Sequence, residues 1–232
     1  SGETIDYGPC AFMDAYDPKI FFSSIDHGGR YSFKNQPLIV HWNLLRFAET
    51  LLPIIDSNQK KAINIVEKIF SDFESVYKKR WLKMMLNKVG IVDLNVQDEA
   101  LINDLLFLME KYKADYTNTF CSLFEKNFQK NDFYNNSEFL VWRKKWRARI
   151  KQSGSSFVKS IEVMKKLNPR IIPRNHVVEK VVEAATESHD LDPLKKFLKA
   201  IKNPYKDKKT SSYYKEVPEF FKKTPYKTFC GT

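Results

Sequence analysis

Glycine is scarce in this chain, at seven of 232 residues. Turn-rich β architectures lean on glycine where the backbone must take positive φ, so its scarcity points to helices. Cysteine is scarcer, at three, which excludes a disulfide-dense secreted scaffold. No Cys-x-x-Cys, His-Glu-x-x-His or Cys/His cluster at zinc spacing occurs, and His27, His41, His176 and His189 are scattered. A structural transition-metal site is therefore not expected. No uninterrupted apolar run reaches the ~18–20 residues of a membrane span, and no secretory apolar stretch opens the chain. A membrane is not an expected partner. No internal repeat is visible, and Ser1 is not an initiator methionine.

What is present argues for a packed body. Hydrophobic residues make up 43% and aromatic residues 14% of a chain long enough for one substantial core or two small ones. The net charge of +11 is unevenly placed. Residues 1–36 carry Glu3, Asp6, Asp14, Asp17 and Asp26 against Lys19, Arg30 and Lys34, so the cationic excess lies beyond them. An acidic segment beside a basic body fits a metal–nucleotide site, and it also fits ordinary surface variation. The basic body reads first as solvated lysine-rich helix faces, and second as a surface for nucleic acid, acidic protein or phosphate.

Residues 1–36 read as strand end, loop and turn, with Asp26-His27-Gly28-Gly29 the clearest turn. From Pro37 the chain reads as helix after helix. Leu38 to Leu52 is strongly apolar and predicts a buried helix stopped near Pro53. Ser57 is placed to cap the next, whose apolar stripe runs from Ile63 through Phe73 and Tyr77 and onward to Leu86, with Gly90 as its end. Asn95 and Asp98 mark a start for the stripe Leu101, Leu105, Leu108 and Tyr112. Further helices are predicted over Tyr116 to Phe128, from Ser137 through Phe139, Trp142, Trp146 and Ile150, over Phe157 to Leu167, from Asn175, and from Asp192-Pro193 to Ile201. Lys130 to Asn136 reads as a turn. The lysine-rich tail from Asn203, with Pro204, Pro218 and Pro225, reads as irregular.

The most informative stretch is the opening one. Thr4-Ile5 reads as a strand end, and Asp6-Tyr7-Gly8 then offers a carboxylate beside a glycine free to bend. Protein kinases hold a magnesium ion on ATP with an Asp-aromatic-Gly arrangement of this kind. The longer string Ile5-Asp6-Tyr7-Gly8-Pro9-Cys10-Ala11-Phe12-Met13-Asp14 resembles the magnesium-binding segment of the selenoprotein O family, kinase-like proteins that transfer AMP from ATP to protein hydroxyls. Three later blocks resemble that family in order. They are Asn35-Gln36-Pro37 with Trp42 to Pro53, Asn168-Pro169-Arg170 with Pro173-Arg174-Asn175-His176, and Tyr226-Lys227-Thr228-Phe229-Cys230-Gly231-Thr232.

The resemblance implies a mainly α fold, the C-terminal part of a protein-kinase-like C-lobe with a short strand-and-loop segment at its start. It implies a metal-binding segment over 1–36, a helical body over 37–202 and a tail over 203–232 that packs back on the body. Asp6 becomes the ligand of Mg2+, with Mn2+ as the alternative, and a contact to ATP, because hard cations take carboxylate oxygens. The catalytic base, the second metal ligand, the glycine-rich loop and a lysine–glutamate pair would precede Ser1, so no catalytic residue is assigned here and the chain alone is expected to be inactive. Protein substrates and ATP are the implied partners, nucleic acid is not, and the compartment is the cytoplasm of a bacterium or the mitochondrion of a eukaryote. Cys10 lies four residues after Asp6, and Cys230 lies where some relatives carry selenocysteine, so the two form a candidate redox disulfide.

Other constellations have plainer readings. Asp14 and Asp17 are left out of the site, with Asp17-Pro18 a turn. Cys121, amid Phe120, Leu123 and Phe124, reads as a core thiol. Arg143, Lys144, Lys145, Arg147, Arg149 and Lys151 interleave with Trp142 and Trp146, a pattern compatible with nucleic-acid stacking. The tryptophans share a stripe with Phe139 and Ile150, and core packing is the favoured reading. Arg170, Arg174 and His176 before a helix could hold phosphate; ion pairing inside the body is favoured. A different class, a non-catalytic basic helical module for acidic partners or nucleic acid, is the alternative to the enzyme.

Overall fold

The computed structural model describes residues 11–125, 131–154, 156–206, 212–219 and 226–229. Asp6, Cys10 and Cys230 lie outside the described residues. Within them the chain is mainly helical, and residues 11–32 are loops and turns whose pairing is limited to single bridges at Ala15 and Ser23.

Helix α1 (Gln36–Ile55) forms where expected but departs from expectation twice. It runs through Pro53, because a proline one turn from the end forfeits only one hydrogen bond. It is also not buried. Ala48 alone is buried on it, while Leu38, Val40, Trp42, Leu44, Phe47 and Ile54 are exposed. Apolarity says that a helix can be covered, not that a given stretch of chain covers it. Taken with the turn before it, Phe33–Ile55 is long and apolar enough to cross a membrane by length and composition, a criterion that no uninterrupted apolar run in the sequence meets.

The long stripe predicted from Ile63 to Leu86 is two helices. α2 (Gln59–Phe70) and α3 (Phe73–Lys88) are separated at Ser71-Asp72, where Ser71 Oγ donates to the Lys68 carbonyl at 2.9 Å. Asn58 rather than Ser57 caps α2, accepting from Lys61 N–H. The end of α3 is closed by a Schellman motif: Ile91 N–H reaches the Leu86 carbonyl at 2.9 Å and Gly90 N–H the Asn87 carbonyl at 3.0 Å. Gly90 sits at φ +79°, and a Cβ there would lie 3.0 Å from Ser160.

The main core lies among α3, α4 (Glu99–Lys111), α7 (Ser137–Gln152) and α8 (Phe157–Leu167). Met85, Leu86, Ile102, Leu105, Met109, Phe139 and Met164 fill it with the two α7 tryptophans. Each indole N–H finds a carbonyl, Trp142 that of Leu101 at 2.8 Å and Trp146 that of Val89 at 2.7 Å. Both rings are buried and mutually stacked, so neither is a platform for a base. α5 (Tyr116–Ser122) is shorter than predicted, and 131–136 is a helical turn, α6 (Asp132–Asn135), that buries Phe133 and Tyr134. A smaller cluster joins α9 (Asn175–Glu187) to α10 (Asp192–Ile201) through Val177, Val181 and Phe197, with Tyr214 of the short α11 (Ser212–Lys215) against it.

Candidate active-site segment and the groups that hold it

The first described residues follow directly on the Asp6 string, and two residues from the start of α9 grip them. Asn175 accepts from Phe12 N–H at 3.0 Å and donates to the Phe12 carbonyl at 2.9 Å. Arg174, only 1% exposed, places Nη1 at 2.5 Å from Asp14 Oδ1 and 2.7 Å from Asp115 Oδ2, and Nη2 at 3.1 Å from Asp115 Oδ1. The Lys215 carbonyl accepts from the same Nη2. Burial works against the Arg174 charge, but Asp115 and Asp14 outweigh it and hold its pKa above the usual arginine value. Burial also pushes Asp115 upward. Its oxygens receive the guanidinium and Asn118 N–H, and both contacts oppose that rise.

Backbone pairing adds to this grip. Ala15 bridges Asp115 in antiparallel sense, with Tyr16 N–H on the Ala114 carbonyl at 2.9 Å and Tyr116 N–H on the Asp14 carbonyl at 2.8 Å. The Tyr16 and Tyr116 rings stack at 5.6 Å. Further on, Asp17 accepts from Lys19 N–H, and Asp26 accepts from the N–H groups of Arg30 and Tyr31. The tail closes over the same segment. Thr228 N–H donates to the Phe22 carbonyl at 2.7 Å, and its own carbonyl accepts from Ser24 N–H at 3.0 Å. Lys227 Nζ lies over the Phe21 ring, and Tyr226 donates to Glu179 on α9.

Between this segment and the helices opens a largely apolar cavity of about 470 Å³, with Phe12, Phe22, Phe33, Tyr116, Lys88 and Asn168 among its walls. Asn168 donates to the Lys88 carbonyl at 2.8 Å and the Met164 carbonyl at 3.0 Å, tying the ends of α3 and α8 together. The Lys88 ammonium lies 4.5 Å from the Phe120 ring centre and 5.8 Å from that of Tyr116, and no carboxylate among the described residues pairs with it. Burial lowers its pKa, against a small opposing pull from Cys121.

Arg170, Arg174 and His176 are thus structural. Arg170 binds Glu125 at 2.8 Å and covers Phe124, and His176 is buried with a pKa lowered chiefly by burial. Cys121 is a core thiol, donating to the Pro169 carbonyl, its pKa pushed up to about 12 by burial. In the basic run, Arg149 forks onto Asp98 and Asp93, and Lys145 pairs with Asp104. The grip of Asn175 on Phe12 was not anticipated. Its only trace in the sequence is that both residues fall within the blocks that carry the family resemblance.

No group of three or more His, Cys, Asp or Glu side chains able to hold a metal ion occurs among the described residues. The carboxylates of Asp14, Asp17 and Asp26 are each engaged by protein groups. Asp6, whose carboxylate is of the hard-oxygen type that Mg2+ takes, lies outside the described residues.

Comparison with known proteins agrees with the blocks in the sequence. The family model for protein adenylyltransferase SelO matches residues 1–202. The chain is 49% identical over 232 residues to a protein nucleotidyltransferase YdiU of Clostridium botulinum, 46% to one of Clostridium perfringens and 45% to one of Pelagibacter ubique. These alignments cover all of this chain but only 47%, 47% and 48% of those proteins, so the chain spans about half their length. With the match running from Ser1 to Lys202, through the segment that Arg174 and Asn175 hold, the chain belongs to the SelO family.

Proposed function

We propose that this chain is the C-terminal part of a protein adenylyltransferase that moves AMP from ATP to Ser, Thr or Tyr hydroxyls of protein substrates in the bacterial cytoplasm. The match of the family model over residues 1–202 carries this reading. The hydroxyl oxygen attacks the α-phosphorus, the bond from that phosphorus to the α,β-bridging oxygen breaks, and pyrophosphate leaves. The hydroxyl proton passes to a base outside this chain. Asp6 would hold Mg2+, which when bound would neutralise charge on the phosphates. The part played by the described residues is mechanical. Asn175, Arg174 and the Ala15–Asp115 bridge fix residues 12–16, and with them the point from which the Asp6 string departs. In this reading the body is a kinase-like C-lobe, and α1 shows the rest of the protein an uncovered side.

The test is transfer of label from α-32P-ATP by the full-length gene product and by its Asp6→Ala form. Activity should drop more than tenfold, which is more than about 1.4 kcal/mol in the barrier, with the circular dichroism spectrum unchanged. Retention of more than a tenth of the activity would remove Asp6 from the site. The 232-residue chain alone should transfer no label above background.

A further inference from the structure

Five residues of α1 fall on one line: Val40, Leu44, Phe47, Leu51 and Ile54, spaced four, three, four and three apart. This is the spacing of a helix–helix seam. Four of them are 47%, 39%, 60% and 81% exposed, in order Val40, Leu44, Phe47 and Ile54. Single exposed apolar side chains are ordinary on a protein surface, whereas a contiguous row is not. The neighbouring face of α1 is already taken, since α1 packs on α2, Ala48 is buried and His41 stacks on Phe73 at 4.5 Å. The row is therefore a second face with no cover among the described residues.

We infer that this row is the seam on which the remainder of the protein docks, through a helix with its own apolar face. The inference rests on the reading of the chain as part of a longer enzyme. Three observations select that occupant. The relatives carry more than as much chain again beyond the matched part, ample to cover one helix face. The charged residues of α1 are Arg46 and Glu49, which pair with each other at 2.6 Å, so the helix offers nothing to an anionic or strongly charged partner. Finally, α1 continues directly from the turn Phe33–Asn35, and Phe33 packs edge-on to Tyr16 and Tyr116. A body seated on α1 is thereby set in register with residues 12–16, and so with the Asp6 string. The seam orients the two parts of the active site as well as covering apolar surface.

Cysteine labelling tests this without requiring a destabilised variant. In a Cys10→Ser/Cys230→Ser background, Phe47→Cys and Ile54→Cys are reacted with a maleimide in the 232-residue chain and in the full-length gene product. Val158→Cys on α8, where Val158 is 65% exposed, serves as the control. Both α1 positions should label at least 100-fold more slowly in the full-length protein, while position 158 labels equally fast in both. Equal rates at 47 and 54 in the two proteins overturn the seam and leave the enzymatic reading standing. Slow labelling in the 232-residue chain that depends on its concentration gives the row to a second copy. Slow labelling only with phosphatidylcholine–phosphatidylglycerol vesicles gives it to a membrane. Either result overturns the proposal. A full-length protein that shields 47 and 54 but transfers no AMP keeps the seam and loses the activity.

Discussion

The side-chain amide of Asn175 closes on the peptide groups of Phe12 from both sides, accepting at 3.0 Å and donating at 2.9 Å across 163 positions of sequence. An amide can satisfy a backbone N–H and C=O at once, as a neighbouring strand would. Leucine has similar volume and can do neither. Asn175→Leu should therefore destabilise the chain by about 1–3 kcal/mol, the cost of leaving partly buried backbone groups unpaired. Hydrogen exchange at residues 12–16 should rise well before exchange in α4 and α7. Uniform acceleration across all helices would show that the bond holds no local segment.

Arg174 makes a harsher test. Removing one member of a buried ion cluster strands the others, at about 3–5 kcal/mol. Arg174→Met leaves Asp14 and Asp115 facing each other and should lower the urea midpoint sharply. Adding Asp14→Asn and Asp115→Asn should recover part of the loss. No recovery in the triple variant would mean that shape rather than charge is what Arg174 supplies.

Gly90 has two reasons to be glycine, its φ of +79° and the 3.0 Å approach of Ser160 to any Cβ. Gly90→Ala should cost about 2–5 kcal/mol, from left-handed strain and overpacking together. Gly154, also at positive φ but with open space around it, should lose only the strain, about 1–2 kcal/mol. Equal losses at the two sites would refute the contact with α8.

Lys88 carries a charge that burial disfavours and that no carboxylate among the described residues relieves. Its folded pKa lies below its unfolded one, so the penalty is present in full below the folded pKa and fades as pH rises from there to the unfolded lysine value. Lys88→Met keeps the stem and removes the charge. It should raise the melting temperature at pH 7 by about 2–4 °C, or ~1 kcal/mol for a chain of this size, and by less at pH 10. His176 follows the same sign at lower pH. With its folded pKa below the free value, the unfolded chain takes up a proton first, so stability falls as pH drops from about 6.5. His176→Gln should flatten that limb of the profile.

Cys10 and Cys230 are expected to join when the full-length protein is oxidised with diamide, which takes up the two electrons and two protons released by the thiols. Peptide mapping without reductant is the check, and a link from Cys10 to Cys121 would rule out the pairing. Iodoacetamide at pH 8 should spare Cys121 in the folded chain, since its thiol is buried with a pKa near 12.

Helix content was legible in the sequence because apolar residues recur at 3.6-residue spacing wherever a helix meets the core, and α8 was bounded to the residue. The break at Ser71-Asp72 was not legible, since the apolar phase runs on across it and the interruption is a local hydroxyl-to-carbonyl bond. Burial of α1 was misjudged because composition reports what a surface could bury and is silent on what lies beside it. The tryptophans of α7 were placed correctly from their stripe. The anchoring of residues 12–16 was invisible, because Asn175 and Phe12 share no local pattern and meet only when the whole body is assembled.

Ser23 and Thr228 pair in parallel across almost the full length of the chain. A contact with that much chain between its ends closes a large loop, so its entropic cost is met only when the whole body has assembled. Ser24 N–H, held by the Thr228 carbonyl, should therefore gain protection late in refolding, after the amides of α4 and α7. Pulsed hydrogen exchange reads that order.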